Sequence, residues 1–297
     1  MDGSAGSEGG RHPLLRPEAT PAPATRSGSR AAGGPVWPTF TGAAQRVGTS
    51  SSGVTVYVDA SLGEPALDNA DALLADADRV VQFNNTVFND TAQPVDVVIF
   101  ALNGQTDGTG GADHGGCTFR TGSAIEVDAA FGNAARVSAL FEAELSECAM
   151  QGQLCGLSTG EALSRWCAAV VSQNALADFA TAPRWVQDGM PNWVDHTDHT
   201  DQQPDSTGCG VAFLSWLLRQ QHSLAQLAQA MVTLADSGTL AQLYQRLTGQ
   251  PSAQAWPAFH AAIQALPGPV STDDPFDALT SIGGSPTTPG ISHRTRP

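Results

Sequence analysis

The strongest constraint on the fold is the segment Val137–Gln151, which reads VSALFEAELSECAMQ. It contains neither Pro nor Gly, and its apolar residues recur at the three- and four-residue spacing of an amphipathic helix. At about 100° per residue, Val137, Phe141 and Cys148 mark the centre of one apolar face. The segment therefore predicts a central helix that packs against the protein interior.

The helical spacing predicts that the side chains of three glutamates on this helix point in different directions. Glu144 falls within the apolar face, Glu147 lies at its edge, and Glu142 points roughly the opposite way, so we expect Glu142 to be solvated. A lone buried carboxylate costs several kcal/mol unless it is paired, protonated or bound to a metal ion. Arg136 and Arg165 are the nearest cations in the sequence, and a purely structural ion pair is one explanation for the inward glutamates.

The composition disfavours two classes of partner. The chain has 297 residues and a formal net charge of −15, and its 14 basic residues are all Arg, scattered singly. Binding to nucleic acid or to an anionic membrane surface requires clustered basic residues, so we expect neither partner. A protein or peptide partner is compatible with the sequence, and the oligomeric state is not specified by it.

Two further features bear on compartment and cross-linking. The first twenty residues lack the apolar core of a signal peptide, and no stretch has the length of a membrane span, so the default expectation is a cytoplasmic protein with secretion left open. The odd number of cysteines argues against a full disulfide framework, and no pair has CxxC spacing. Cys148 and Cys155 flank one short connection and are able to pair, but so are others.

The N-terminal half predicts strands. Val54–Ser61 alternates apolar and polar residues, and Val95–Leu102 is a nearly continuous apolar run typical of a strand covered on both faces. Cys117–Phe119 and Ala124–Val127 predict a hairpin that leads into the central helix. The preceding loop, Asn103–Gly116, is rich in Gly and lacks the ending of a phosphate-binding loop; its Asp107, Asp113 and His114 are weak candidates for binding a cation.

The C-terminal half predicts helices. Glu161–Ser172 forms a second helix with a favourable negative charge in its first turn, and 207–266 is almost wholly helical. Residues 1–45 and 267–297 have the composition of disordered tails. We therefore predict an α+β fold, a small mixed sheet followed by a helical C-terminal part, as a single domain over residues 54–266.

The order of these elements resembles that of the zincin metallopeptidases. Strands come first, then a carboxylate-bearing helix, then a second helix that opens with Gly160-Glu161, and finally an all-helical part. The rhythm of Ser237–Ile263 is similar to that of the last helices of the plant-type basic secretory proteins. The resemblance covers residues 54–266 and implies a zincin-like architecture.

The resemblance lacks the diagnostic HExxH sequence. In that motif two His bind zinc and the Glu between them activates water. Here Glu144 matches the general base, but Ala143 stands where the first His would be and Glu147 stands where the second would be. Glu161 matches the downstream Glu of the second helix. An ordinary zinc site cannot form from this helix, because an Ala side chain cannot bind metal.

Three functions remain compatible with these residues. In one, Glu144, Glu147 and Glu161 form a carboxylate cluster for a hard divalent metal ion, with Glu147 and Glu161 as ligands. In this hypothesis Asp and His residues of Asp195–Asp201, namely His196, Asp198 and His199, would complete the shell, although such loops often satisfy their own backbone in Asx and ST turns.

In the second function, two of the three glutamates act as the catalytic acid and base of a hydrolase. In the third, which we favour, the chain keeps a peptidase-like scaffold without catalysis and serves as a binding or structural module. Convergence of Glu144, Glu147 and Glu161 on one accessible pocket favours an enzyme, whereas separate ion pairs favour the scaffold.

Overall fold

The computed structural model describes residues 34–120 and 124–282. Within them lies a five-stranded mixed sheet of order β1-β2-β3-β5-β4. The central strands β2, β3 and β5 run parallel, whereas β1 and β4 are antiparallel edges. The strands are β1 (Ala44–Thr49), β2 (Val54–Asp59), β3 (Val95–Phe100), β4 (Ala112–His114) and β5 (Ala124–Asp128).

Helix α1 (Glu64–Phe88) connects the parallel strands β2 and β3, and the other helices follow β5, so the chain has the mixed α and β content of the predicted α+β class. In β2 buried residues alternate with partly exposed ones, and β3 is almost wholly buried, as their sequence patterns predict. The helices are α1 (Glu64–Phe88), α2 (Ala134–Ala149), α3 (Ser158–Val171), α4 (Ala182–Gln187), α5 (Pro204–Arg219), α6 (Leu224–Leu234), α7 (Leu240–Thr248), α8 (Ala255–Gln264) and α9 (Ala278–Ile282). Among these helices, none has the combination of length and apolarity needed to cross a membrane.

Helix α2 is the predicted central helix and joins two cores. Its apolar residues pack against the sheet and α1, while its end meets the helical core formed by α3 and α5–α8. Every residue of α2 from Arg136 to Ala149 is buried. The prediction that Glu142 is solvated is therefore wrong: it is 0% exposed, because α2 has protein on all sides rather than on one face.

The hairpin prediction is wrong in its first strand. The antiparallel partner of β5 is β4, where Asp113 lies opposite Glu126, and not Cys117–Phe119. The glycine-rich composition of this stretch predicted a loop, but pairing with β5 outweighs the low strand propensity of Gly and Asp. Residues 121–123 lie outside the described residues.

Both predicted tails are shorter than expected within the described residues. Strand β1 precedes residue 54, and the backbone N–H groups of Thr39 and Phe40 donate to the buried Glu126 carboxylate at 2.8 and 2.6 Å. At the other end Ala278 is fully buried within the helical core. Residues 1–33 and 283–297, the outer parts of the predicted tails, lie outside the described residues.

Candidate functional site

The centre of the candidate site is the contact between α2 and the edge strand β4. Nε2 of His114 on β4 lies 3.1 Å from Oε2 of Glu147 and 3.9 Å from Oε2 of Glu144, both on α2. All three side chains are buried. Glu144 and Glu147, the inward-facing glutamates predicted from the helical spacing, thus share one imidazole.

The local fold fixes the orientation of the His114 ring. Its backbone N–H donates to the Asp113 carboxylate at 2.8 Å, and Nδ1 lies 2.7 Å from the carbonyl oxygen of Gly116. A carbonyl oxygen only accepts hydrogen bonds, as does an ionised carboxylate. Because acceptors face both ring nitrogens, the arrangement fits an imidazolium, in which both nitrogens are donors.

Burial and the neighbouring charges have opposite effects on the pKa of His114. Burial alone would lower the pKa of His114, but the hydrogen bond to Glu147 and the negative charges of Glu144 and Glu147 outweigh it and raise the pKa to about 10. Burial, and then the neighbouring charge of Glu147, raise the pKa of Glu144 well above its usual range, against the opposing effect of His114. His114 is therefore the cation of the cluster at neutral pH.

Glu161, the third predicted site residue, lies in the first turn of α3 and has a cation of its own. Its Oε1 accepts a 2.6 Å hydrogen bond from Nε of Arg165, whereas its Oε2 has no partner among the described residues. Burial raises the pKa of Glu161 to about 8, and the charges of Glu147 and Asp201 act in the same direction against that of Arg165. Glu161 is thus electrostatically close to Glu147 but is held in a separate ion pair.

The two arginines considered as partners for the inward glutamates have other roles. Arg136 forms a two-point ion pair with Asp178, at 2.7 and 2.8 Å. Arg165 binds Glu161 and lies 3.4 Å from Asp273. The cation beside Glu144 and Glu147 in the described part of the chain is instead His114, which the sequence pattern marked only as a weak cation-binding candidate.

Glu142 is a second electrostatic anomaly, outside the cluster. Both of its carboxylate oxygens are buried and lack a hydrogen-bond partner among the described residues. Burial raises its pKa well above the usual range, and only the more distant charge of Arg79 opposes that effect. We therefore expect Glu142 to hold a proton at neutral pH.

The predicted metal loop is largely solvent-facing. His196 is exposed and its ring packs 4.5 Å from that of Trp193, His199 is exposed, and Asp198 accepts a 2.9 Å hydrogen bond from Ser206. In the ranges 34–120 and 124–282, no group of three or more His, Cys, Asp or Glu side chains is arranged to hold a metal ion. Side-chain geometry thus gives no support to the predicted ligand set of Glu147, Glu161, His196, Asp198 and His199.

A disulfide lies beside the cluster. Cys117, just after β4, is bonded to Cys155, just before α3, whereas Cys148 is a buried thiol that takes no part in this bond. The Cys148–Cys155 pairing that the sequence left open is therefore not formed. The bond fixes the segment after His114 to the segment before Glu161.

The chain matches no protein-family model and no curated protein.

Proposed function

We propose that this protein is a divergent zincin-like protein without a catalytic metal, which acts as a binding or structural module. The observation that carries the proposal is the position of His114: its Nε2 faces both Glu144 and Glu147, and its Nδ1 faces the Gly116 carbonyl oxygen. In this interpretation the protonated ring supplies the positive charge that a metal ion would otherwise supply.

Electrostatics supports the proposal. Two buried carboxylates on one helix require a compensating charge or a proton, and His114 provides the charge from within the chain. Nε of Arg165 lies 2.6 Å from Oε1 of Glu161, and its charge opposes the rise that burial causes in the pKa of that carboxyl. A metal ion at Glu144 and Glu147 would have to displace the His114 imidazolium, and Ala143 offers no ligand atom in its place. Glu144 and Glu147 thus share one cation and Glu161 has another, and positive charge supplied from within the chain is the outcome expected of a scaffold.

The order of the elements supports the zincin-like part of the proposal. A mixed sheet precedes the carboxylate-bearing α2, α3 opens with Gly160 and Glu161 in its first turn, and α5–α8 form the helical C-terminal part. This is the layout on which the resemblance was based. It argues for a shared architecture and carries no information about activity.

Metal content of the purified full chain, determined by inductively coupled plasma mass spectrometry, tests the proposal. We expect less than one metal ion per chain, with no change in Glu144→Gln or Glu147→Gln. Stoichiometric metal in the parent that is lost in both variants would overturn the proposal and establish a carboxylate metal site.

A second candidate function is a metal-independent hydrolase, favoured by two unpartnered carboxylate oxygens. Oε1 of Glu144 and Oε2 of Glu161 have no hydrogen-bond partner among the described residues, and burial raises the pKa of both groups. A carboxyl that holds its proton near neutral pH is suited to general-acid catalysis. Hydrolysis of a peptide or glycoside panel by the parent, abolished by Glu144→Gln and by Glu161→Gln, would establish this function instead.

The disulfide bears on the compartment. Disulfides persist in oxidising compartments and are rare in the cytosol. We therefore favour an oxidising compartment over the cytoplasmic default expected from the sequence, and recovery of the native protein with Cys117 bonded to Cys155 would support it.

A further inference from the structure

A small cavity lies beside the Glu161–Arg165 pair, and both residues line it. Its volume is about 40 Å³, and it is lined by α2, α3, α5, residues 174–179 and the C-terminal segment around Asp273. Most of its wall is apolar, with Leu140, Trp166, Val211 and Leu279 among the lining side chains. Because Nε1 of Trp166 donates to the Val211 carbonyl oxygen, the indole adds no unpaired donor to the wall.

One polar group in the wall is incompletely bonded. Glu161 lines the cavity, is 2% exposed, and uses only Oε1 in its bond to Arg165. Its Oε2 is buried and has no hydrogen-bond partner among the described residues. An unpaired buried acceptor costs free energy comparable to a lost hydrogen bond, which a bound donor would recover.

The other acidic groups in the wall are satisfied by the chain itself. Asp273 accepts from the backbone N–H groups of Thr181 and Ala182, and Asp274 accepts from Ser215 and from the N–H groups at the start of α9. Arg165 is the single cation in a wall that also holds Glu161, Asp273 and Asp274. The open position therefore requires a hydrogen-bond donor, and the excess of carboxylates favours one with positive charge.

The volume of the cavity and the chemistry of its wall limit the size and the atom types of a ligand. One water-sized group needs about 10–15 Å³ by this measure, so the cavity holds roughly three such groups. The apolar side chains favour carbon for all but the donor atom. We propose that this cavity is a binding site for a short primary alkylammonium ion, whose N–H donates to Oε2 of Glu161 and whose carbons contact the apolar wall.

The inference rests on the proposed function, because it names the class of ligand that a non-catalytic binding module would take. A ligand of so few atoms binds weakly, and we expect a dissociation constant on the order of 1 mM. The probe is ethylammonium chloride, which has two carbons and one nitrogen. Ethanol and sodium propionate serve as a neutral and an anionic probe of similar size.

The experiment is a titration of the full chain with ethylammonium in buffer above pH 8, where Glu161 is ionised. The indole N–H resonance of Trp166 reports binding at the cavity. We expect a saturable shift with ethylammonium and none with propionate, and at least tenfold weaker binding in Glu161→Gln. Glu64→Gln, an exposed glutamate on α1, is the matched control and should bind as the parent does.

The variant Ala169→Leu keeps Glu161 and fills the cavity, since Ala169 lines it and is only partly buried. It should abolish the shift even if Glu161→Gln proves unstable. No saturable shift in the parent, or binding in Ala169→Leu equal to that of the parent, would overturn the inference. Metal content measured on the same sample separates the two proposals. A chain that holds metal, hydrolyses substrate and binds ethylammonium would contradict only the proposed function. A metal-free chain that does not bind ethylammonium would contradict only this inference.

Discussion

His114 on the edge strand β4 is held to Glu147 on α2 by a 3.1 Å contact between Nε2 and Oε2, while its Nδ1 faces the Gly116 carbonyl oxygen at 2.7 Å. The ring thus joins the sheet edge to the central helix through hydrogen bonds at both nitrogens. Its side chain is 6% exposed, and that of Glu147 is 9% exposed, so water screens this charge pair little. The stability of the chain should depend on this one contact.

Replacement of His114 tests that dependence directly. His114→Ala leaves Glu147 and Glu144 buried without their cation, and loss of one partner of a buried pair costs roughly 3–5 kcal/mol. We expect the free energy of unfolding, measured by urea denaturation, to fall by about that amount. His199→Ala is the matched control, because His199 is exposed, and it should change stability by less than about 0.5 kcal/mol. Equal stability of the two variants would remove His114 from its proposed role.

The raised pKa values predict that stability falls as the pH rises. Folding raises the pKa of His114 from 6.5 to about 10 and that of Glu161 from 4.5 to about 8. In each case the folded chain keeps a proton that the unfolded chain has released, so the stabilisation is complete below the unfolded pKa and is lost as the pH rises through the folded one. The two windows overlap between pH 6.5 and 8.

Each group contributes a slope of at most about 1.4 kcal/mol per pH unit within its window. Urea denaturation in steps from pH 6.5 to 8 should therefore show the parent losing stability steadily. Glu161→Gln and His114→Asn should each show a shallower decline, since each removes one titrating group. Stability that increases with pH over this range would contradict the assignment of His114 as a buried cation.

Glu142 provides a test in which the substitution should stabilise the chain, whereas the substitution of His114 should destabilise it. Its two oxygens are buried and unpartnered among the described residues, and an unsatisfied buried polar group costs about 1–3 kcal/mol. Glu142→Leu replaces that group with an apolar side chain one atom shorter, so we expect thermal and urea denaturation to show a stabilisation of about 1–2 kcal/mol. Glu144→Leu, on the same helix but beside His114, should destabilise, and stabilisation by both would mean that neither carboxylate has a partner.

The Cys117–Cys155 bond should contribute measurably to stability. It closes a loop with a sequence separation of 38, for which chain entropy gives roughly 4 kcal/mol. Dithiothreitol should lower the melting temperature of the parent and leave that of the Cys117→Ser/Cys155→Ser double variant unchanged. Peptide mapping after alkylation in denaturant should find Cys148, Cys167 and Cys209 as thiols. A disulfide that includes Cys148 would contradict the structure.

The regular elements followed from local pattern. Alternation in Val54–Ser61 predicted β2, because a period of two residues indicates a half-buried strand. The apolar run Val95–Leu102 predicted β3, because a short continuous run indicates a strand covered on both faces. Strand β4 was missed, since its three residues stand among glycines and owe their conformation to pairing with β5. Its sequence carries no periodic signal, and only the tertiary partner determines it.

The candidate site was predictable only in part, because it too depends on contacts between residues that are far apart in the sequence. Helical spacing placed Glu144 and Glu147 towards the interior, but it also predicted a solvated Glu142, because it cannot show that a helix is covered on every side. The pairing of Glu147 with His114 spans 33 residues of sequence and depends on the position of β4 at the sheet edge. The nearby Arg136 was the better candidate by sequence distance, and it pairs with Asp178 instead.

The C-terminal segment offers the last test, because the Asp273 carboxylate is one of two that hold it to the domain, the other being that of Asp274. Asp273 accepts from the N–H groups of Thr181 and Ala182 at 2.7 and 2.8 Å and lies 3.4 Å from Nη1 of Arg165. Asp273→Ala leaves these donors without their acceptor and should destabilise the chain by about 2–4 kcal/mol.

Hydrogen exchange locates the effect of that substitution. The backbone amides of Ala278 and Leu279, which donate to Asp274, should lose protection in Asp273→Ala, since the segment that carries them is no longer fixed to α4. Asp277→Asn is the matched control in the same segment, because Asp277 is exposed, its side chain bonds locally to Thr280, and Asn tolerates its positive φ of 55°. Unchanged protection in both variants would show that the Ser215–Asp274 hydrogen bond and the apolar contacts hold the segment without Asp273. The cavity wall that contains Leu279 would then not depend on the Arg165–Asp273 pair.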